Sequence, residues 1–187
     1  YAKRQVGHIY RSFLHPFGRP TVLRELDALT SFERLGVRVP RLVFAGAERD
    51  AGQPWRALLV SEALDGFTDL DTWHAEGARE RYPQAVHEGL VEELAANLAR
   101  MHLGHWQHGC LYGKHVFVKV SGEGEQARAE VALLDLEKCR RRISCQRAAY
   151  KDLYQLKRHS SLSHAEFTTL LYFYQGAFGS AVKGLEQ

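Results

Sequence analysis

The chain has 187 residues, a length that suits one domain or two closely packed lobes. It is 45% hydrophobic and 25% charged, ordinary for a soluble globular protein, and its formal charge of +3 is too small to argue for nucleic-acid binding. No apolar run approaches the roughly 18 residues of a membrane span, and no secretory signal pattern is visible. The three cysteines, Cys110, Cys139 and Cys145, lack framework spacing, which points to a reducing, cytoplasmic compartment.

Residues 1–10 read as a strand carrying Lys3. Pro and Gly in residues 15–20 predict a loop. Thr21 is the predicted N-cap of a helix over 22–35, with Gly36 just past its end. Val22, Leu26, Leu29 and Phe32 recur at helical spacing, and Glu25 projects at the margin of that face. A Glu there either reaches solvent or, if buried, needs a partner. Residues 41–46 and 55–61 predict an antiparallel pair, which residues 62–66 leave as a turn.

A short helix is predicted over 69–80 and a longer one over 87–102, with Leu90, Leu94, Leu98 and Met101 in one stripe and Asn97 off it. His102 and His105 are expected to cap or cover its end, near Gly104. Then comes Gln107-His108-Gly109-Cys110-Leu111-Tyr112-Gly113-Lys114-His115, followed by two apolar runs around a polar segment, 121–130. That pattern predicts a hairpin returning Asp135 to the neighbourhood of Cys110 and His115. Arg140, Arg141 and Arg142 read as solvated surface or as an anion contact. Residues 150–159 are helical. Ser163-His164-Ala165-Glu166 is a capping box that starts the last helix.

The stretch His108-Gly109-Cys110-Leu111, with His115 beyond it and Asp135 ending the hairpin, resembles the core of protein-kinase-like phosphotransferases. In particular it resembles the Kdo/WaaP-type lipopolysaccharide core kinase family and its InaA branch. The resemblance implies an α+β, two-lobed protein-kinase-like fold: a small, mainly antiparallel β lobe with one helix over 1–61, and a larger, mainly helical lobe over 62–187. It implies ATP and Mg²⁺ as cofactors, and a sugar hydroxyl of the lipopolysaccharide core as acceptor. The expected place is the cytoplasm, at or near the inner face of the membrane. The glycine-rich loop of such kinases would precede Lys3.

Residue by residue, the resemblance implies that Lys3 neutralises phosphate and Glu25 holds Lys3 in place. Backbone groups of Glu62 to Leu64 would hold the adenine. Asp135 would bind the metal, with His115 assisting at the metal or the phosphates. Imidazole is a poor Mg²⁺ ligand, so His115 suits a phosphate hydrogen bond better. His108 would hold the loop backbone, and Asp152 in Lys151-Asp152-Leu153 would brace the catalytic loop. Asp152 could equally be a solvent-facing residue that favours the helix dipole. Cys110 stands where the family has its catalytic Asp, which leaves a pseudokinase as the alternative and the enzymatic status open. A minor alternative is zinc: His102, His105, His108, Cys110 and His115 are dense, although no paired Cys-x-x-Cys or His-Glu-x-x-His is present.

Overall fold

The computed structural model describes residues 1–12 and 15–185. Strand β1 (Ala2–Val6) leads into β2 (Ile9–Ser12) and β3 (His15–Pro20), which pair with each other. Residues 15–20 are therefore a strand rather than the predicted loop. The prolines are tolerated because this two-stranded ribbon is all edge.

Helix α1 (Thr21–Arg34) follows directly. Its N-cap is Pro20, and Thr21 is not the predicted cap. The Thr21 hydroxyl instead donates to Gln5 Oε1 at 2.6 Å, tying the helix to β1. Val22, Ala28, Leu29 and Phe32 are buried on one face. Gly36, at φ +69°, takes the left-handed turn that ends the helix.

Strands β4 (Leu42–Glu48) and β5 (Arg56–Ser61) complete a three-stranded antiparallel sheet in the order β1-β5-β4. Along β5 the period-two pattern buries Ala57, Leu59 and Ser61 under α1 and leaves Leu58 outside. Next come β6 (Thr68–Asp69), α2 (Leu70–Ala75) and α3 (Ala78–Arg81). The predicted single helix over 69–80 is thus split: Gly77, at φ +79°, breaks it.

Helix α4 (Gln84–Leu103) buries Leu90, Leu94, Leu98 and Met101 as the stripe predicted. Asn97, read as lying off the stripe, is buried as well and accepts from Arg100 at 2.8 Å. Strand β7 (Trp106–Gln107) pairs with β10 (Arg140–Arg141). Between them lie β8 (Val116–Ser121) and β9 (Arg128–Leu133), an antiparallel hairpin pairing Val116 with Leu133. Helix α5 (Cys145–Arg158) starts five residues before the predicted 150. Its cap, Ser144, accepts from the Arg147 N–H, a signal the apolar anchors alone did not give. Helix α6 (His164–Phe178) begins at the capping box of Ser163 and Glu166 and packs against α4.

The structure is α+β, a small antiparallel sheet with one helix set against a larger, mainly helical part. Phe32 of α1 packs edge-on to Trp106 at 5.7 Å and joins the two. Gly113 shows how tightly the turn before β8 is seated. A Cβ there would lie 1.9 Å from Asp71 Oδ1, the acceptor for the Ser161 N–H at 2.7 Å. Gly113→Ala should therefore cost about 1–3 kcal/mol. Thermal denaturation checks it; an unchanged melting temperature would mean that Asp71 yields freely.

Candidate active site

The loop before β8 and the end of β9 meet where the hairpin predicted. The donor atoms of Cys110, His115 and Asp135 lie within 4.8 Å of one another. His115 Nδ1–H donates to the Cys110 carbonyl at 2.6 Å, which directs Nε2 at Asp135 Oδ2, 3.4 Å away. Asp135 has φ +58° and ψ +57°, left-handed backbone that a non-glycine residue seldom adopts. That conformation turns the chain sharply into the short 3₁₀ turn Leu136–Lys138.

This turn supplies two groups that sequence reasoning missed. Lys3 Nζ donates to Glu25 Oε2 at 2.9 Å and also to Glu137 Oε2 at 2.7 Å. Lys138 Nζ lies 3.8 Å from Cys110 Sγ. A second acid two positions beyond the strand-ending Asp was the available signal for Glu137. Glu25 is buried and paired, the second of the two alternatives its wheel position allowed. Burial raises its carboxyl above the ordinary range against the pull of Lys3. Burial alone would lower the Lys3 ammonium, but its bonds to Glu137 and Glu25 prevail and raise it. The Lys3 hydrogen bond holds Glu137 below the usual carboxylate value.

Lys3, Glu25, Glu62, Leu64, His115 and Asp135 line one cleft of about 480 Å³ between the sheet and the helical part. That size is within the range of small-molecule sites. In the connection after β5, the Glu62 N–H donates to the Arg41 carbonyl at 2.9 Å, and the Glu62 side chain pairs with Arg41. The Leu64 carbonyl accepts from the Phe67 N–H at 3.1 Å.

Beneath the loop lies a buried network. Asp152 accepts the His108 N–H at 2.6 Å and the Gly109 N–H at 2.9 Å, and His102 Nε2 is 3.2 Å away. Tyr174 closes the network at 2.9 Å from His102 Nδ1, and burial pushes its hydroxyl well up. Asp152 is therefore fully buried rather than a solvent-facing helix residue. His102 is buried too, and does not merely cover a helix end.

His108 Nε2 lies 2.9 Å from the Leu134 carbonyl. A carbonyl only accepts, so Nε2 carries the proton. Burial lowers the pKa of His108, which favours the neutral ring. Gly109, at φ +79°, lets the loop pass so close to the Lys138 carbonyl that a Cβ would approach it to 2.9 Å.

The five-residue zinc grouping does not assemble. His102 and His108 are committed as described, and His105 Nδ1 lies 3.0 Å from the Arg142 carbonyl. Among the described residues, Cys110 and His115 are the members of that set whose donor atoms come together, with Asp135 as the third. Arg140 and Arg141 are exposed, and Arg142 bonds Gln107 Oε1 at 2.7 Å.

A two-lobed fold with this cleft is that of the protein-kinase-like proteins. Residues 1–174 match the model of the lipopolysaccharide kinase (Kdo/WaaP) family, and the chain belongs to that family. It is 40% identical over 159 residues to Protein InaA of Escherichia coli (strain K12), covering 85% of this chain and 71% of that protein. The solved structure of WaaP in complex with acyl carrier protein shares the fold, with a TM-score of 0.68 and 21% identity. That match covers 90% of this chain and 78% of that one.

Proposed function

We propose that the cleft binds Mg-ATP and that the protein transfers phosphate slowly to a sugar hydroxyl of the lipopolysaccharide core, with Cys110 limiting the rate. The observation that carries this reading is Lys3, paired with Glu25 in the cleft that Asp135 also lines. The small lobe is 1–61 and the large lobe 62–187, with the cleft between them. The donor set fits the cofactors. Mg²⁺ is commonly held by one or two carboxylates plus phosphate oxygens, and Asp135 offers a carboxylate beside a fixed cation. When bound, Mg-ATP supplies the γ-phosphoryl group and neutralises its charge.

The chain's own residues do the positioning. The Glu62 carbonyl and the Leu64 N–H are suited to one edge of the adenine, because the Glu62 N–H and Leu64 carbonyl are already engaged. Lys3 meets the phosphates while Glu25 keeps it in place. His115, fixed by the Cys110 carbonyl, places Nε2 beside the Asp135 carboxylate that would hold the metal. His108 and Asp152 hold the loop backbone. The acceptor is met at the inner face of the cytoplasmic membrane. No helix among the described residues is long and apolar enough to cross one, which suits peripheral contact.

Mg-ATP should raise the melting temperature, by the equivalent of about 2.7 kcal/mol at 100 times the dissociation constant. Asp135→Asn should remove the Mg²⁺ dependence of that shift. Absence of any shift for the full-length protein at millimolar Mg-ATP would refute nucleotide binding. The pseudokinase reading is favoured by Cys110 itself. ATP consumption with and without core oligosaccharide separates the two: binding without consumption is the pseudokinase outcome.

A further inference from the structure

Away from the cleft, three helices of the larger part bring His74 of α2, His87 of α4 and Glu166 of α6 together. One donor atom from each lies within 4.8 Å of the others. We propose that these three residues form a zinc-binding site, independent of the nucleotide cleft, with an open coordination position facing the adjoining cavity.

One tautomer of His74 favours it. Arg79 Nη2 has two protons, and both are used, on Glu166 Oε2 at 2.8 Å and on the Ser161 carbonyl at 2.7 Å. It has none left for His74 Nδ1, although that atom is only 3.2 Å away. Ser161 Oγ has one proton, and the Leu70 carbonyl 3.3 Å away is an acceptor for it in one of the two His74 tautomers. It then accepts from His74 Nδ1–H, at 2.6 Å. In that tautomer His74 Nε2 presents a lone pair to Glu166 Oε1 at 3.7 Å. Glu166 Oε1 accepts from Arg79 Nε at 3.2 Å and keeps a second lone pair, so a cation fits between it and Nε2. An imidazole whose other nitrogen is fixed by an oxygen is the usual arrangement of a metal-bound histidine.

His87 is the independent observation. It is over nine-tenths buried, and its Nε2 has no hydrogen-bond partner. A buried polar atom without a partner is costly, and a ligand relieves it. The cavity of about 330 Å³ is lined by His87, Glu166, Arg79, Gln84 and Ser163 and supplies the open side.

Two imidazoles and a carboxylate are a known donor set for zinc sites with an open position. Zinc bonds of about 2.0–2.2 Å fit between His74 and Glu166 with only a small contraction of their 3.7 Å gap. Arg79 already offsets the Glu166 charge. The site therefore has little net negative charge to attract Mg²⁺ or Ca²⁺, which need oxygen-rich shells, and selects a metal that bonds nitrogen strongly.

The test is titration of the metal-stripped full chain with Zn²⁺ against a competing chromophoric chelator. The expected result is one zinc per chain, with affinity reduced more than about 100-fold in His87→Ala, beyond the usual cost of losing a mere supporting residue. His87→Gln, which keeps a polar side chain of similar reach, should behave alike and guards against a folding defect. Cys110→Ser should leave zinc binding unchanged. With Co²⁺ in place of zinc, the spectrum should lack a thiolate charge-transfer band. No stoichiometric zinc, or weak binding indifferent to His87, would overturn the proposal. So would binding lost in Cys110→Ser, which would place the metal in the cleft. None of these readouts depends on nucleotide binding.

Discussion

Cys110→Asp should raise the rate of phosphoryl transfer to a core sugar by about 10²–10⁴, the usual contribution of a positioned general base. Cys110 is buried in the loop, with its carbonyl holding His115 and its sulfur beside Lys138. A thiol accepts hydrogen bonds weakly, whereas an ionised carboxylate accepts them strongly. An Asp at this position would orient the acceptor hydroxyl and take its proton as the new O–P bond forms, with Lys138 as its counter-charge. The transition state of phosphoryl transfer is loose, so loss of the base is better tolerated than loss of the metal. Cys110→Ala should accordingly change little. Steady-state transfer rates of the three proteins test this. If Cys110→Ala abolishes a robust native activity, the thiol is itself the reacting group and the proposed role of position 110 is wrong.

Asp152→Ala should destabilise the fold by about 3–5 kcal/mol, the range for removing one partner of a buried charged network. Two backbone N–H groups, of His108 and Gly109, lose their acceptor, and His102 loses its own. In a domain of this size the melting temperature should fall by roughly 6–20 °C. Asp152→Asn should cost less, because the amide oxygen still accepts from one N–H, although its NH₂ group then faces the other.

The pH dependence has a definite sign. Burial alone would raise the Asp152 carboxyl, but its bonds to His102 and Gly109 prevail and hold it below the ordinary value. Protons therefore bind the unfolded chain first. The stability that Asp152 contributes is complete above about pH 3.9 and is lost as pH falls through its lower folded-state value. Denaturant melts of native and Asp152→Asn proteins should converge in acid. Parallel curves down to that range would assign the acid sensitivity to other groups.

Much of the chain's local structure was written in its sequence. The leucine stripe of α4 sets the buried face of that helix, because a period of 3.6 leaves few alternatives. The capping box at Ser163 and Glu166 starts α6 because it satisfies backbone donors on the spot. The hairpin of β8 and β9 returns Asp135 to Cys110 and His115 because antiparallel pairing fixes where the second strand ends.

Tertiary structure decided the rest. A helical wheel puts Glu25 only at a margin, and the sheet laid beside α1 is what buries it against Lys3. Thr21 and His102 have polar side chains whose partners lie on other elements, so no local pattern assigned them. Glu137 reaches Lys3 only because Asp135 adopts a left-handed conformation, which pattern reasoning does not anticipate for an aspartate. His74, His87 and Glu166 are far apart in the chain, and they meet because three helices pack their faces together. Periodicity and capping act within a few residues, whereas a buried polar group is settled by whichever distant atom can complete its hydrogen bonds.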